Sequence, residues 1–203
     1  MAEREERLRL FVAVELPDAW LAALEELQER MKQALAADSQ TRSLVLRWVR
    51  PEGVHLTLKF IGGVEVSRLG VIEEQLASAV TEAPGIELRL GRAGTFADRR
   101  APRVLWCAIE TQQRERLTQL AEGIETWVAA AGIPRERRAF APHLTLARLP
   151  EQLSEAERRR AAEVTAAVER ASAPAFSVQR VSLMQSHLGP GGARYERLAA
   201  FPS

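Results

Sequence analysis

His55-Leu56-Thr57-Leu58 and His143-Leu144-Thr145-Leu146 are the same four residues written twice, 88 positions apart, and they use two of the three histidines in a chain of 203 residues. In an extended strand, residues i and i+2 share a face. Each histidine therefore stands beside its threonine, while the two leucines turn the other way, into a core. The tetrapeptide predicts a strand with chemistry on one side and packing on the other, and two copies of it predict a site built from two histidines.

The flanks repeat as well. Before the first copy, residues 9–16 form a β-branched apolar run closed by Pro17 and predict a buried strand. Asp18 then reads as the cap of a helix whose Leu21, Leu24, Leu27, Met31 and Leu35 fall at helical spacing up to Ala37. Residues 44–49 predict a strand, Pro51-Glu52-Gly53 a turn into the first histidine strand, and Gly62-Gly63 its end. A helix over 67–81 and a strand over 86–90 complete this half. The second half runs through a strand over 103–110, a helix over 112–131 stopped by Gly132 and Pro134, and an arginine-rich loop to Pro142. The second histidine strand follows, then a helix over 154–172 and a strand from Phe176, which starts 90 residues after its counterpart at Ile86. Residues 178–188 and 195–201, either side of Gly189-Pro190-Gly191-Gly192, predict a hairpin completing the second lobe.

The expectation is an α+β fold of two pseudo-symmetric lobes, approximately halves 1–95 and 96–203. Each is a mainly antiparallel sheet with helices outside, and together they enclose a central cleft.

Composition narrows the function. Twenty-eight basic and 27 acidic residues leave a formal charge of +1, so the field of the whole molecule attracts neither nucleic acid nor acidic membranes, and a polyanion site must be local. The single Cys107 lies in an apolar run, excludes an intrachain disulfide and suits a reducing cytoplasm. The charged start Glu3 to Arg7 and the lack of a long apolar run are read as no signal peptide and no membrane span.

Two histidines facing across a cleft suit acid–base chemistry, because an imidazole titrates near ~6.5 and one neutral and one protonated ring can coexist around neutrality. The Thr57 and Thr145 hydroxyls, on the same faces, can donate to non-bridging phosphate oxygens. No Gly-Lys-Thr phosphate loop and no metal-ligand spacing is present.

With these motifs placed, the chain resembles the 2H phosphoesterase superfamily, and within it the RNA 2′,3′-cyclic phosphodiesterases, also described as 2′-5′ RNA ligase-like. The resemblance runs through residues 9–13, Trp48-Val49-Arg50-Pro51, residues 55–60, Pro102 to Trp106, Pro142 to Arg148 and residues 186–195. It implies catalytic His55 and His143, no metal, no cofactor, and a substrate ending in a 2′,3′-cyclic phosphate that is opened to a 2′-phosphate. It further implies joining of RNA ends through a 2′-5′ bond in vitro. By resemblance His55 is the acid and His143 the base, an assignment that symmetry makes reversible from the residues alone. The resemblance also places a phosphate-contacting arginine at Arg148, although regular alternation puts Arg148 on the wrong face unless a twist or bulge intervenes.

Phe60 reads equally as a core aromatic and as a platform for a terminal base. Arg99, Arg100 and Arg103, with Arg135, Arg137 and Arg138, form two basic clusters suited to an RNA backbone. Arg158-Arg159-Arg160 reads as a solvated helix face. Trp48, Trp106 and Trp127 read as core, and His187 as structural or at the cleft rim. No obligate protein partner is evident, and the chain reads as a monomer. Beside this function stand a phosphodiesterase for a small cyclic nucleotide or 2′-5′ oligonucleotide, and a non-catalytic nucleotide- or RNA-binding module.

Overall fold

Alternating apolar residues, punctuated by glycine and proline, build nine strands and four α-helices among the described residues. The structure is a computed structural model and describes residues 7–80, 85–96, 102–189 and 192–202. The strands are β1 (Arg7–Glu15), β2 (Arg47–Trp48), β3 (His55–Glu65), β4 (Glu87–Thr95), β5 (Val104–Glu110), β6 (His143–Arg148), β7 (Phe176–Ser177), β8 (Arg180–Gly189) and β9 (Gly192–Pro202). The helices are α1 (Asp18–Ala37), α2 (Leu69–Ala79), α3 (Arg114–Ala130) and α4 (Glu155–Ala166).

The strands join into a curled antiparallel sheet, a half-barrel of order β7-β4-β5-β6-β3-β1-β8-β9, with β2 paired to β6. Its centre is the meeting of the two histidine strands at Leu56 and Leu144. On one side β3 pairs with β1, on the other β6 pairs with β5. The outer strands are exchanged. β4, from the first half of the chain, lies beside β5, and β8, from the second half, lies beside β1. The β8–β9 hairpin thus completes the lobe of β1 and β3, not the second lobe that its place in the sequence suggests. The helices cross over too: α2 packs against α3 and α1 against α4. Gln28 of α1 donates to the carbonyls of Val49 and Leu146, at 2.8 and 2.9 Å, which fixes this helix over β6.

The helix-covered face of the sheet holds the core: Leu10, Val12, Leu56, Leu58, Cys107, Leu144 and Leu146 are all buried there. Burial of this kind stabilises by about 25 cal/mol per Å² of apolar surface, so both leucines of each tetrapeptide act as anchors for the opposite face. The same burial pushes the Cys107 thiol up to about 12.

Several boundaries differ from those predicted. Strand β3 continues past Gly62, whose φ of +88° permits a bulge, so the glycines bend the strand where they were expected to end it. Strand β2 is only two residues long: it pairs with Ala147 and Arg148 on the edge of β6 that β3 takes at Leu144, and Val49 adds one bond to the Leu146 carbonyl. Pro17 precedes α1 as its cap, and Asp18 sits in the first turn, where its charge favours the helix dipole without a capping hydrogen bond. Helix α4 begins with a capping box between Ser154 and Glu157 but stops at Ala166, ahead of Pro174, whose carbonyl accepts from Trp20 Nε1 at 2.8 Å. Arg158 is buried on α4, and Arg160 binds Asp38 at 2.5 Å, so this triplet is only partly a solvated face. Trp127 is exposed, and Trp106 lies on the open face of the sheet; the fully buried tryptophan is Trp20.

Candidate active site

The open face of the sheet carries the residues that the alternation singles out. One bridge pair, Leu56 with Leu144, joins β3 and β6 antiparallel. One residue to either side, this register sets His55 across from Thr145 and Thr57 across from His143. The four side chains form a square with the histidines on one diagonal and the threonines on the other, centred on a pseudo-twofold axis.

Each imidazole is held in the same way. His55 Nδ1 lies 2.8 Å from the Gly53 carbonyl, and His143 Nδ1 lies 2.7 Å from the Ala141 carbonyl. A carbonyl only accepts, so Nδ1 carries a proton in both rings and Nε2 is the nitrogen left for chemistry. The turn Pro51–Gly53 brings the first of these carbonyls into place. Burial lowers both histidines below the ordinary imidazole value, against the opposing pull of these carbonyls. Beyond that, His143 lowers His55 and Glu15 raises it, whereas Arg148 lowers His143.

Arg148 reaches this face by a bulge. Strand β5 pairs Trp106 with Thr145 but Leu105 with Ala147, so Leu146 is an extra residue and the alternation flips after it. Leu146 and Ala147 both turn to the core, and Arg148 emerges beside His143 and Thr145. Strand β3 carries the same bulge: Ala13 pairs with Thr57 and Val12 with Lys59, which skips Leu58. Phe60 is the result, 60% exposed on the site face with its ring 6.4 Å from Phe11, so its reading as a core aromatic is excluded. Phe60 and Arg148 are thus equivalent positions in the two halves, one aromatic and one cationic.

Aromatic rings that the motif reading left without a role surround the histidines. The His55 ring stacks on Phe11 at 4.7 Å and meets Tyr195 edge-on at 5.0 Å. Phe96 meets His143 edge-on at 4.8 Å and lies 5.6 Å from Trp106. A Cβ at Gly94 would come within 2.7 Å of the indole, so only glycine lets Trp106 lie across β4. Strand parity carries part of the signal: Phe11 and Ala13, themselves buried in a small cluster with Met184, share a strand face with Glu15 opposite Val12 and Val14, and Trp106 sits between buried Leu105 and Cys107.

The remaining predicted residues within the described ranges are engaged with other partners or exposed. His187 is paired with Glu196 at 3.1 Å on the outer hairpin. Arg103 is bound to Glu151 at 2.6 Å, and Arg135 donates to Thr126 at 3.0 Å. Arg137 and Arg138 are exposed on the loop that leads to β6. Arg99 and Arg100 lie outside the described residues. Among the described residues, no group of three or more histidine, cysteine or acidic side chains is placed to hold a metal ion, and no helix is long and apolar enough to cross a membrane.

Known proteins resemble this chain in sequence and fold. The family described as LigT-like phosphoesterase matches residues 14–106 and 108–195. An RNA 2′,3′-cyclic phosphodiesterase of Archaeoglobus fulgidus is 32% identical over 197 residues, covering 96% of this chain and 99% of that protein. One from Geobacillus stearothermophilus is 30% identical over 181 residues but is longer, so that the match spans 54% of it. Among solved structures, a protein of Thermus thermophilus superposes with a TM-score of 0.69 at 29% identity, over 96% of this chain and 97% of that one. E. coli LigT in complex with 3′-AMP superposes with a TM-score of 0.69 at 26% identity, over 97% and 98% of the two chains. Family model, full-length relatives and fold agree: the chain belongs to the LigT-like family of 2H phosphoesterases.

Proposed function

We propose that this site hydrolyses RNA ends bearing a 2′,3′-cyclic phosphate and leaves a 2′-phosphate. The observation that carries the reading is the pair of imidazoles, each with Nδ1 fixed to a backbone carbonyl and Nε2 left free, set diagonally with two threonine hydroxyls on one sheet face. Relatives named RNA 2′,3′-cyclic phosphodiesterase, and a structural neighbour crystallised with 3′-AMP, support it.

In this reading His143 Nε2 takes a proton from water as the water oxygen attacks phosphorus. The P–O3′ bond breaks on the opposite side, and His55 Nε2–H gives its proton to the departing O3′. A neutral His143 suits the base, and burial together with the Arg148 guanidinium favours that form. Thr57 and Thr145 donate to the non-bridging oxygens as charge gathers on them, Arg148 contacts the phosphate, and Phe60 stacks the terminal base. The step uses water and two imidazoles and calls for no cofactor. With a 5′-hydroxyl in place of water, the same transfers join RNA ends through a 2′-5′ bond: the 5′-oxygen attacks phosphorus and gives its proton to His143, and O3′ leaves with the proton from His55.

The test is turnover of a short RNA with a 2′,3′-cyclic phosphate, in EDTA, by the wild type, His55→Ala and His143→Ala, with the phosphate position in the product identified. The expected result is a 2′-phosphate, with each variant slower by about 10²–10⁴. Turnover of a cyclic mononucleotide but not of RNA would replace the RNA substrate with a small one. Binding without turnover would overturn the catalytic reading.

A further inference from the structure

The two half-sites have the same backbone but not the same charges, and the difference lies on the strands that flank the histidines. On β1 the residue paired with His55 is Glu15; on β5 the residue paired with His143 is Ala108. These positions correspond, since the neighbouring pairs Ala13 with Thr57 and Trp106 with Thr145 match in both lobes. One histidine therefore has a carboxylate across the ladder from it, and the other has a methyl group.

The carboxylate is not loose. Glu15 Oε2 accepts from the Ser182 hydroxyl at 2.7 Å and from Arg197 at 3.0 Å, so that β8 and β9 both hold it. Ser182 is completely buried, and Glu15 is the acceptor its side chain donates to. A buried hydroxyl that lost this acceptor would be costly, which gives the carboxylate a fixed position and not merely a nearby one.

We propose that Glu15 is a positioning residue of the site, and that its carboxylate, clamped by Ser182 and Arg197, favours the proton-donating form of the His55 ring. This rests on the two-histidine phosphodiesterase reading. The charged or titratable groups around His55 are Glu15 from β1, His143 from β6, and Tyr195 and Arg197 from β9, with Arg197 engaged by Glu15. His143, when charged, repels a proton on His55, and burial disfavours it further; Glu15 is the group that acts in the opposite direction from a side chain. The other lobe is inverted. Arg148 opposes a proton on His143, and at the equivalent position of the first lobe stands the uncharged Phe60. A carboxylate beside one ring and a guanidinium beside the other turn a geometrically symmetrical pair into an acid and a base.

The test is a histidine NMR titration of the full chain, in which three histidines give three assignable midpoints, combined with a pH–rate profile on the cyclic-phosphate RNA. In Glu15→Gln the His55 midpoint should fall while those of His143 and His187 stay in place. The basic limb of the rate profile should move down with it, so that the variant is slower at high pH and converges on the wild type at low pH. Each unit of displacement lowers the rate on that limb about tenfold. A transplant serves as the second variant: Ala108→Glu should raise the His143 midpoint. An unmoved His55 midpoint in Glu15→Gln would reduce Glu15 to a tie between β1 and the hairpin and overturn the proposal; if Glu15→Gln does not fold, an unmoved His143 in Ala108→Glu does the same. A falling His55 midpoint in a protein whose wild type turns over no cyclic phosphate would uphold the pairing and overturn the functional reading instead.

Discussion

His55 and His143 carry a cost as well as a chemistry. Both titrate below the ordinary value of 6.5, chiefly because burial penalises the charged ring. In the unfolded chain they regain that ordinary value, so between the lowered and ordinary values the unfolded state binds more protons. Their contribution to stability is therefore fully present above about pH 6.5 and is lost as the pH falls through that value toward the lowered ones. Denaturant midpoints at about pH 7.5 and about pH 5 should show the wild type losing stability on acidification and a His55→Gln/His143→Gln variant losing less. Equal losses would place the effect in other groups. At this scale the sequence is informative wherever strict alternation holds: the histidines, the threonines and their leucine anchors follow from spacing alone. It fails one step later. Arg148 and Phe60 lie past a bulge that reverses the face, and a bulge has no residue signature here, since Leu58-Lys59 and Leu146-Ala147 share nothing beyond the leucine. Counting the apolar neighbours of Trp106 without regard to parity puts that indole in the core, on the wrong face of the sheet.

The bulge in β3 also explains the one lysine buried in the molecule. It turns Lys59 inward, where the side chain is 2% exposed and its ammonium binds Glu125 of α3 at 2.7 Å and the Pro134 carbonyl at 2.9 Å. Glu125 also accepts from the Glu136 amide, so one carboxylate ties β3, α3 and the loop that leads to β6. Glu125→Ala leaves a buried ammonium without its counter-ion and should cost about 3–5 kcal/mol in a denaturant titration. Replacing both partners, as Lys59→Met with Glu125→Leu, should recover most of that loss; failure to recover would mean that the pair contributes more than mutual neutralisation. Element types and order are legible from periodicity and from proline and glycine punctuation. Element ends are not, because they depend on how two strands share one edge, as at β2, and on where a distant partner draws the chain away, as at the end of α4.

Across the whole molecule the duplication is visible in the sequence, but the exchange of parts is not. Spacing matches the strand at Ile86 to the one from Phe176, and the sheet order makes β8 the equivalent of β4; repetition does not show that each lies in the lobe founded by the other half, since a half closed on itself would have the same hydrophobic pattern. We propose that the chain is a single folding unit. Residues 1–95 and 96–203 prepared separately should give neither dispersed amide spectra nor cooperative unfolding, because β4 would lack both β5 and β7, and β8 would lack β1. Mixing them should restore a folded spectrum; a half that folds alone would refute the single unit. The crossing has a mechanical result. From β1 to β8 the backbone passes repeatedly from one lobe to the other, so the lobes are joined by several crossings of the chain and not by one strap. The span between the two imidazoles is then set, like the jaw width of a gauge, by the pairing of β3 with β6 at the middle of one woven sheet.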